Sequence, residues 1–481
     1  MDKKFYLTTT LPYVNAKPHI GFALEIIQAD VIARFKSMSG YEVFFNTGTD
    51  EHGQKIYAKA LVEGKDPQAY TDEYAAKFDL LKQKLNLTYN NFIRTTDPHH
   101  IKAAEEIWKR CLKNGFIEKG IYKAKYCVGC ELEKQDSDLV DGKCPIHPNL
   151  EIENIEEENY FFKFSKLQKG LLDLYKKYPD FVIPIHRLGE VKNFVESGLQ
   201  DFSISRLKEK MPWGIPVPDD PKHVMYVWFD ALTNYISALG WPEDTKKFEE
   251  FWGTKEEPKA LQVAGKDNLR QQSSMWQAML IAAGLPTSRQ IFIHGFLTSS
   301  GQKMSKSLGN VIDPIEYVDK YGTDALRYYL LAKINPTEDS DFTKEKFEEV
   351  FNGELANGLG NLVSRVAKMC EKSGFDFKTD PNHIWEIDAY VKKSIENYRF
   401  DEALKYISEN YISKLDKKIN ETEPWKLSGN ELESFLKEAV LILQNISFNL
   451  YPFIPDAATK IDNIFKGPKI VSAAPLFPRL K

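Results

Sequence analysis

Apolar and polar residues alternate from residue 4 to 11, with Phe5, Leu7, Thr9 and Leu11 on one side, and this predicts a strand. A loop from Pro12 to Pro18 follows. Ile20, Ala23, Ile26, Ile27, Ala29, Val31 and Phe35 then recur at roughly helical spacing, which predicts a helix to Met38. A second strand is expected over Glu42 to Asn46, ending in Gly48-Thr49-Asp50-Glu51-His52-Gly53. Strand, loop and helix open a doubly wound α/β fold, whose ligand crevice lies where the helix begins. Residues 115–225 change character, with three of the five cysteines and an acidic run from Glu151 to Glu158. From Val224 the strand-then-helix pattern resumes and continues to about Leu330. Beyond residue 340, Phe347, Phe351, Leu355, Leu359, Leu362, Val366 and Met369 form an apolar stripe at spacings of three and four, and further amphipathic segments follow between about 387 and 464. The expected architecture is a Rossmann-like, doubly wound parallel sheet (1–114 and 226–330), an insertion at 115–225, and an all-α helical bundle within 331–481.

Length supports this division, since 481 residues correspond to roughly three domains at about 150 residues each. A net charge of −5 excludes a histone-like binder that relies on global positive charge, but not a nucleic-acid partner met by a local basic face. The most apolar stretch, Glu438 to Pro455, is interrupted by Gln444, Asn445 and Asn449, so no membrane span is expected. Met1-Asp2-Lys3-Lys4 leads directly into the first strand without an apolar leader, and a cytoplasmic location is expected. Five clustered cysteines are too few for a secreted disulfide framework.

Three constellations carry chemistry. In Cys127-x2-Cys130-x13-Cys144-x2-His147, two close pairs can bring four soft ligands into a tetrahedron suited to zinc. All four positions are filled by protein, so the metal would be structural; the alternative is reduced thiols packed beside an imidazole. Cys111 and Cys370 fall in helical patterns and are expected in cores. In Pro18-His19-Ile20-Gly21, a helix N-terminus offers unpaired N–H groups to a phosphate, His19 can donate to a phosphate oxygen, and Gly21 permits close approach. Alone, the His-x-Gly triplet is weakly specific. Gly301-Gln302-Lys303-Met304-Ser305-Lys306-Ser307-Leu308-Gly309-Asn310 is a cationic loop that could close on a triphosphate, or simply a solvated basic loop. Two other matches fail: Gly48-x4-Gly53 is followed by Gln54-Lys55 where a P-loop needs Lys-Ser/Thr, and Gly358-Leu359-Gly360 lacks the third glycine of a dinucleotide fingerprint.

Together, His19-Ile20-Gly21-Phe22 and Lys303-Met304-Ser305-Lys306-Ser307 resemble the two signatures of class I aminoacyl-tRNA synthetases. Within that class the chain resembles the methionyl family along its length. The matching stretches are Leu11-Pro12-Tyr13-Val14-Asn15, Gly48 to Gly53, Ile204-Ser205-Arg206, Trp213 to Pro218, Val227-Trp228-Phe229-Asp230-Ala231-Leu232 and Gly265-Lys266-Asp267. The resemblance implies ATP-dependent formation of methionyl-adenylate and transfer to the 3′ end of tRNA(Met), with Mg²⁺ accompanying ATP. It implies that His19, Lys303 and Lys306 stabilise phosphate charge and that Gly21 lies at the ATP site. Gly265 and Asp267 would meet the ribose, and His294 and Phe296 the adenine. Asp50 would pair with the substrate ammonium, and Leu11, Tyr13, Trp228, Tyr235 and Gln272 would surround the thioether. Asn361, Arg365 and Trp425 map to anticodon readers, the first two as i,i+4 neighbours.

Two positions depart from the family pattern. Phe22 replaces the second histidine of the first signature, and Gln272 replaces a pocket histidine, with Asn268, Arg270 and Gln271 as its expected polar partners. Two alternatives compete: a cysteinyl-type synthetase, whose zinc would sit in the active site rather than in an insertion, and a non-catalytic tRNA-binding paralogue. The end of the chain soon after its last helical segment leads to the expectation of a monomer.

Overall fold

The computed structural model describes residues 3–130, 132–134, 136–304, 309–378 and 385–480. The chain divides into two compact units, one formed by residues 1–17, 41–80 and 89–293, the other by 18–40, 81–88 and 294–481.

The first unit is built on a six-stranded sheet in the order β3-β2-β1-β12-β13-β7. Its strands are β1 (Lys3–Thr8), β2 (Tyr41–Thr49), β3 (Asn91–Arg94), β7 (Val182–Ile183), β12 (Leu261–Gly265) and β13 (Gln290–His294). β1 pairs in parallel with β2 on one side and β12 on the other. Strand order therefore reverses at β1/β12, and in such sheets ligands bind beyond the carboxyl ends of the strands at that switch point. The sequence predicted β1 as an alternating strand; instead Tyr6, Leu7 and Thr8 are all buried, as expected for a central parallel strand covered on both faces. The core beneath includes Trp108, Trp252 and Trp276, each 0% exposed.

A four-stranded sheet, β5-β4-β6-β8, follows within the insertion: β4 (Ile117–Cys127), β5 (Leu132–Lys134), β6 (Glu153–Phe162) and β8 (Phe202–Ser203). The long antiparallel β4–β6 pairing runs from Ile117↔Phe162 to Tyr126↔Glu153, so the acidic run forms one strand of a ribbon. A smaller sheet joins β9 (Ser205–Leu207), β10 (Pro216–Val217) and β11 (Asp220–Met225).

The second unit holds the helix Ile20–Met38, with the predicted limits, and the helical C-terminal region. That first helix is buried on every side from Phe22 to Phe35, polar positions included. Its Asp30 accepts from Arg34 Nε at 2.8 Å and from Thr88 N at 2.7 Å, and lies 2.8 Å from Nη2 of the fully buried Arg327. Arg327 also donates to the carbonyls of Phe453 at 2.7 Å and Leu85 at 3.1 Å. Burial opposes the Asp30 charge, but the two guanidiniums more than offset it and hold its carboxyl below the usual range. The apolar stripe beginning at Phe347 is buried through Val366, after which Cys370 rather than Met369 faces the core. A π-helical stretch, Phe351–Gly360, has wider turns that suit the four-residue spacing of Phe351, Leu355 and Leu359 before an α-helix resumes at Asn361–Ser373. Cys111 and Cys370 are both buried, as expected, and burial pushes the Cys370 thiol up to about 12. Among the described residues, no helix is long and apolar enough to cross a membrane.

Candidate active site and metal cluster

Within the first unit, the carboxyl ends of β1 and β2 are tied together by backbone. Tyr13 bridges Asp50, Val14 N donates to Asp50 O at 3.2 Å, and Asp50 N donates to Pro12 O at 3.0 Å. The Tyr13 ring meets Trp228 edge-on at 6.2 Å between centroids, and Asp50 is 2% exposed. Tyr13, Asp50 and Trp228 are thus brought together, and Leu11 leads into them from β1. Gly265 ends β12, and Asp267 sits exposed in the following 3-10 turn, where its carboxylate can accept from hydroxyls.

Tyr235 and Gln272 form a second pair, both 2% exposed. Gln272 Nε2 donates to Tyr235 Oη at 2.5 Å, and Gln272 Oε1 accepts from Gln262 Nε2 at 2.9 Å. The network extends from Gln262 through Ser288 to Gln277, whose Nε2 also donates to the Gln272 carbonyl at 2.8 Å. The expected partners Asn268, Arg270 and Gln271 are not those that hold the Gln272 amide. Arg270 instead lies over the Phe194 ring at 4.4 Å, and Asn268 reaches Asp267 at 3.4 Å. The physical reason is local geometry. Gln272 lies in a π-helical turn, Gln271–Met275, and is buried toward the Gln262 strand, while Asp267 and Arg270 face solvent.

None of the motifs above marks a buried polar layer formed by Asp230, His52 and His100. Asp230 lies at 2.7 Å from His52 Nδ1 and 2.8 Å from His100 Nε2, and His100 Nδ1 is 2.9 Å from Ser237 Oγ. Burial disfavours the Asp230 charge, yet the two imidazoles outweigh it and hold the carboxyl below its ordinary range. Glu51, also fully buried, takes a fork from Arg94, 2.6 Å from Nε and 2.8 Å from Nη2, and its carbonyl accepts from Trp213 Nε1 at 2.6 Å. The available signal was an acidic residue inside an otherwise apolar run, Val227-Trp228-Phe229-Asp230-Ala231-Leu232, which only a buried partner could satisfy.

In the second unit, His19 is the N-cap of the first helix, and its Nδ1 accepts from Gly21 N at 3.1 Å. A neutral imidazole accepting at Nδ1 carries its proton on Nε2, where it can donate. A Cβ at Gly21 would lie 3.0 Å from the His19 ring, so the glycine makes room for the histidine itself. Phe22 is 8% exposed. At the end of β13, His294 Nε2 lies 3.0 Å from Glu25 Oε2, and Phe296 N donates to Asp339 at 2.9 Å. β14 (Leu297–Ser299) and β15 (Gln302–Lys303) form a hairpin, and β14 also pairs with β16 (Ser340–Phe342). Ser300 and Gly301, both at positive φ, make the tight turn, and Gly301 N is held by Asp341 at 2.7 Å. This hairpin carries the Lys303 backbone into the second signature; Lys306 lies outside the described residues.

Asn361 and Arg365 share the helix Asn361–Ser373. Arg365 reaches Asp416 at 2.5 Å and Asn420 at 2.7 Å, on the helix Ser413–Thr422 that leads directly to Pro424-Trp425-Lys426. Trp425 is 59% exposed, so it is not a core anchor.

The ligand atoms of Cys127, Cys130, Cys144 and His147 all lie within 4.8 Å of one another, with Cys130 Sγ at 3.2 Å from His147 Nδ1. The pairs sit on tight turns closed by Cys130 N to Cys127 O and His147 N to Cys144 O. A Cβ at Gly129 would come 2.5 Å from the His147 ring, so only glycine lets the two turns meet. Burial opposes the Cys144 thiolate, but the amides of His147 and Ile146 bring its thiol down to about 6. Three sulfurs and one imidazole nitrogen on converging turns suit a tetrahedral soft metal ion.

A family model described as tRNA synthetases class I (M) matches residues 5–153 and 150–367. The methionine–tRNA ligase of Thermotoga maritima is 42% identical over 477 residues, covering 95% of this chain and 74% of that protein. That of Thermosynechococcus vestitus is 50% identical over 377 residues, 77% of this chain and 70% of its own. The chain belongs to the methionyl-tRNA synthetase family. Its fold agrees. A Mycobacterium tuberculosis methionyl-tRNA synthetase, solved in complex with methionyl-adenylate, superposes with a TM-score of 0.90 at 33% identity, covering 99% of this chain and 100% of that one. Membership makes the chain an aminoacyl-tRNA synthetase, and it favours the methionyl reading over both the cysteinyl-type and the non-catalytic alternatives. In this chain the Cys/His cluster lies between β4 and β6, apart in sequence from the residues around Asp50.

Proposed function

We propose that the chain activates L-methionine with ATP and transfers the methionyl group to the 3′ end of tRNA(Met), in the cytoplasm. The observation that carries this reading is likeness along 99% of the chain to a synthetase solved with methionyl-adenylate. In the first step the methionine carboxylate oxygen bonds to the α-phosphorus, and the bond to pyrophosphate breaks with its electron pair leaving on pyrophosphate. In the second, a terminal ribose hydroxyl bonds to the methionyl carbonyl carbon, AMP leaves with the electron pair of the anhydride bond, and the hydroxyl proton is released.

Asp50 would take the substrate ammonium, its buried carboxylate providing a strong charge-assisted contact. Leu11, Tyr13, Trp228 and Tyr235 would enclose the thioether, with Gln272 held behind Tyr235 by the Gln262 amide. Asp267 and Gly265 would orient the ribose, with His294 and Phe296 beside the adenine. Catalysis of this kind is mostly positioning and charge stabilisation. His19 Nε2, Gly21 at the helix N-terminus, Lys303 and Lys306 would stabilise negative phosphate oxygens as pyrophosphate departs. Mg²⁺ bound with ATP supplies charge neutralisation. Zinc held by Cys127, Cys130, Cys144 and His147 would cross-link the insertion without taking part in chemistry. Asn361, Arg365 and Trp425 would read the anticodon, Trp425 by stacking and the other two by hydrogen bonds.

ATP–pyrophosphate exchange, measured with methionine, with cysteine and with no amino acid, tests the reading. Exchange that depends on methionine is expected. Exchange with cysteine alone would restore the cysteinyl alternative, and none at all would restore the paralogue.

A further inference from the structure

The polar network behind Tyr235 runs in one direction, and the main chain sets it. Ser288 N donates to Gln277 Oε1 at 3.0 Å. The Gln277 amide therefore turns its nitrogen the other way, where Nε2 donates to the Gln272 carbonyl at 2.8 Å and to Ser288 Oγ at 3.1 Å. A backbone N–H only donates and a backbone carbonyl only accepts, so this amide cannot be reversed. Ser288 Oγ, already accepting, directs its proton to Gln262 Oε1. Gln262, on β12, is thereby left with Nε2 to donate to Gln272 Oε1 at 2.9 Å, and Gln272 with Nε2 to donate to Tyr235 Oη at 2.5 Å. Every link takes its direction from the one before it. The members are neutral and none is more than 2% exposed, so bulk water is kept from reversing a link.

The last link decides what the phenol can do. A phenol O–H lies near the ring plane, on one side of the oxygen or the other, and the Tyr235 ring is fixed. Its backbone carbonyl accepts from Tyr6 Oη at 2.7 Å, and its ring meets Trp276 edge-on at 5.8 Å between centroids. Because Tyr235 Oη accepts from Gln272, its own proton points away from Gln272. A neutral imidazole at position 272 could offer a single N–H, whereas the amide presents a donor and an acceptor side by side, and which of them meets Tyr235 has to be settled from behind.

We propose that Gln262, Gln277 and Ser288 are positioning residues for substrate selection: acting through Gln272, they hold the Tyr235 hydroxyl as a donor to the thioether sulfur. None of the three is among the residues proposed above to enclose the substrate side chain. The inference rests on the methionine-activation reading and adds a determinant of its specificity. Methionine and norleucine differ by sulfur against a methylene of similar size, so shape separates them poorly. A hydroxyl aimed at that position finds a weak acceptor in methionine and none in norleucine, where it stays unpaired. With the chain reversed, Tyr235 would donate to Gln272 and the pocket would sort the two by shape alone.

The test uses the full chain, as wild type and as the variants Ser288→Ala and Gln262→Met. Ser288→Ala cuts the link through which the main chain sets the direction, and Gln262→Met removes both amide links at similar side-chain length. The kcat/KM for pyrophosphate exchange is measured with methionine and with norleucine, and thermal stability alongside. The methionine-to-norleucine ratio is expected to fall about fivefold in each variant, the worth of one neutral hydrogen bond, through a loss with methionine and little change with norleucine. A role in packing alone would lower both substrates together and leave the ratio where it was. An unchanged ratio in a folded variant overturns the proposal; Ser288→Ala deletes a single oxygen and decides the matter where Gln262→Met does not fold. Wild type without methionine-dependent exchange overturns the functional reading and this proposal with it, whereas methionine-dependent exchange with an unchanged ratio overturns the proposal alone.

Discussion

Replacing Asp230 by Asn tests whether the buried acid–histidine layer supports the fold under the proposed methionine pocket. Both carboxylate oxygens are engaged, at 2.7 Å from His52 and 2.8 Å from His100, and the side chain is 0% exposed. Hydrogen bonds to a charged acceptor contribute about 1.5–3 kcal/mol each, against about 0.5–1.5 for neutral ones. Asparagine keeps the volume and can still accept from one ring, but its amide must donate to the other, which requires a change of tautomer there. The net loss is therefore about 2 kcal/mol, below the roughly 3–5 kcal/mol expected when a buried charge loses its partner outright. At a urea slope of about 3 kcal/mol per molar, tryptophan fluorescence should show a midpoint lowered by about 0.7 M at pH 7. The pH dependence gives a second check. The folded carboxyl titrates below its unfolded value of about 3.9, so its stabilisation is full above that value and is lost as pH falls through the folded value. The gap between wild type and Asp230→Asn should thus narrow below about pH 4. An Asp230→Asn protein with the wild-type midpoint at pH 7, or a gap as wide at pH 3 as at pH 7, would refute the reasoning.

Purified protein should carry about one zinc per chain by elemental analysis, and Cys144→Ser should lose it, since three remaining ligands leave the tetrahedron open. Trp425→Ala should lower aminoacylation while leaving pyrophosphate exchange and thermal stability unchanged, because the side chain is largely exposed; equal loss in both assays would mark it as structural. Asp324, whose carboxyl is pushed up to about 6 chiefly by burial, favours its neutral form in the fold even though Ala457 N donates to it. Its raised value makes stability fall as pH rises from about 4 to 6, by roughly 3 kcal/mol. Asp324→Asn should therefore gain stability over wild type across that interval and hold the gain at pH 7, as urea midpoints at pH 4 and pH 7 would show.

Local patterns carried much of the fold. The limits of the first helix follow from its spacing and from His19 as its cap, and the parallel sheet follows from strand–loop–helix order. What patterns could not supply was burial on two faces. β1 was expected to alternate, whereas a central strand has no solvent face, and the buried Asp30, Arg34 and Arg327 occupy positions that a surface helix would give to water. Their pairing spans nearly three hundred residues of sequence, and no periodicity encodes a partner at that distance. Gln272 illustrates the same limit. Its neighbours in sequence offered plausible partners, yet Gln262 and Tyr235 hold it, ten and thirty-seven residues away.

The first signature shows how far residue identity alone can define a site. His19 and Phe22 are three residues apart, but they stand in different environments: His19 is exposed at the cap, while Phe22, in the first turn, is 8% exposed. A histidine at position 22 would have to satisfy two ring nitrogens where burial is nearly complete, at a cost that phenylalanine avoids. At position 19 the same ring has one nitrogen accepting from Gly21 N. Gly21 is part of this arrangement, since a side chain there would press against the imidazole at 3.0 Å. The His19–Gly21 pair is therefore the part of the first signature whose geometry suits the phosphate-donor role proposed for it, while Phe22 is buried in the same helix.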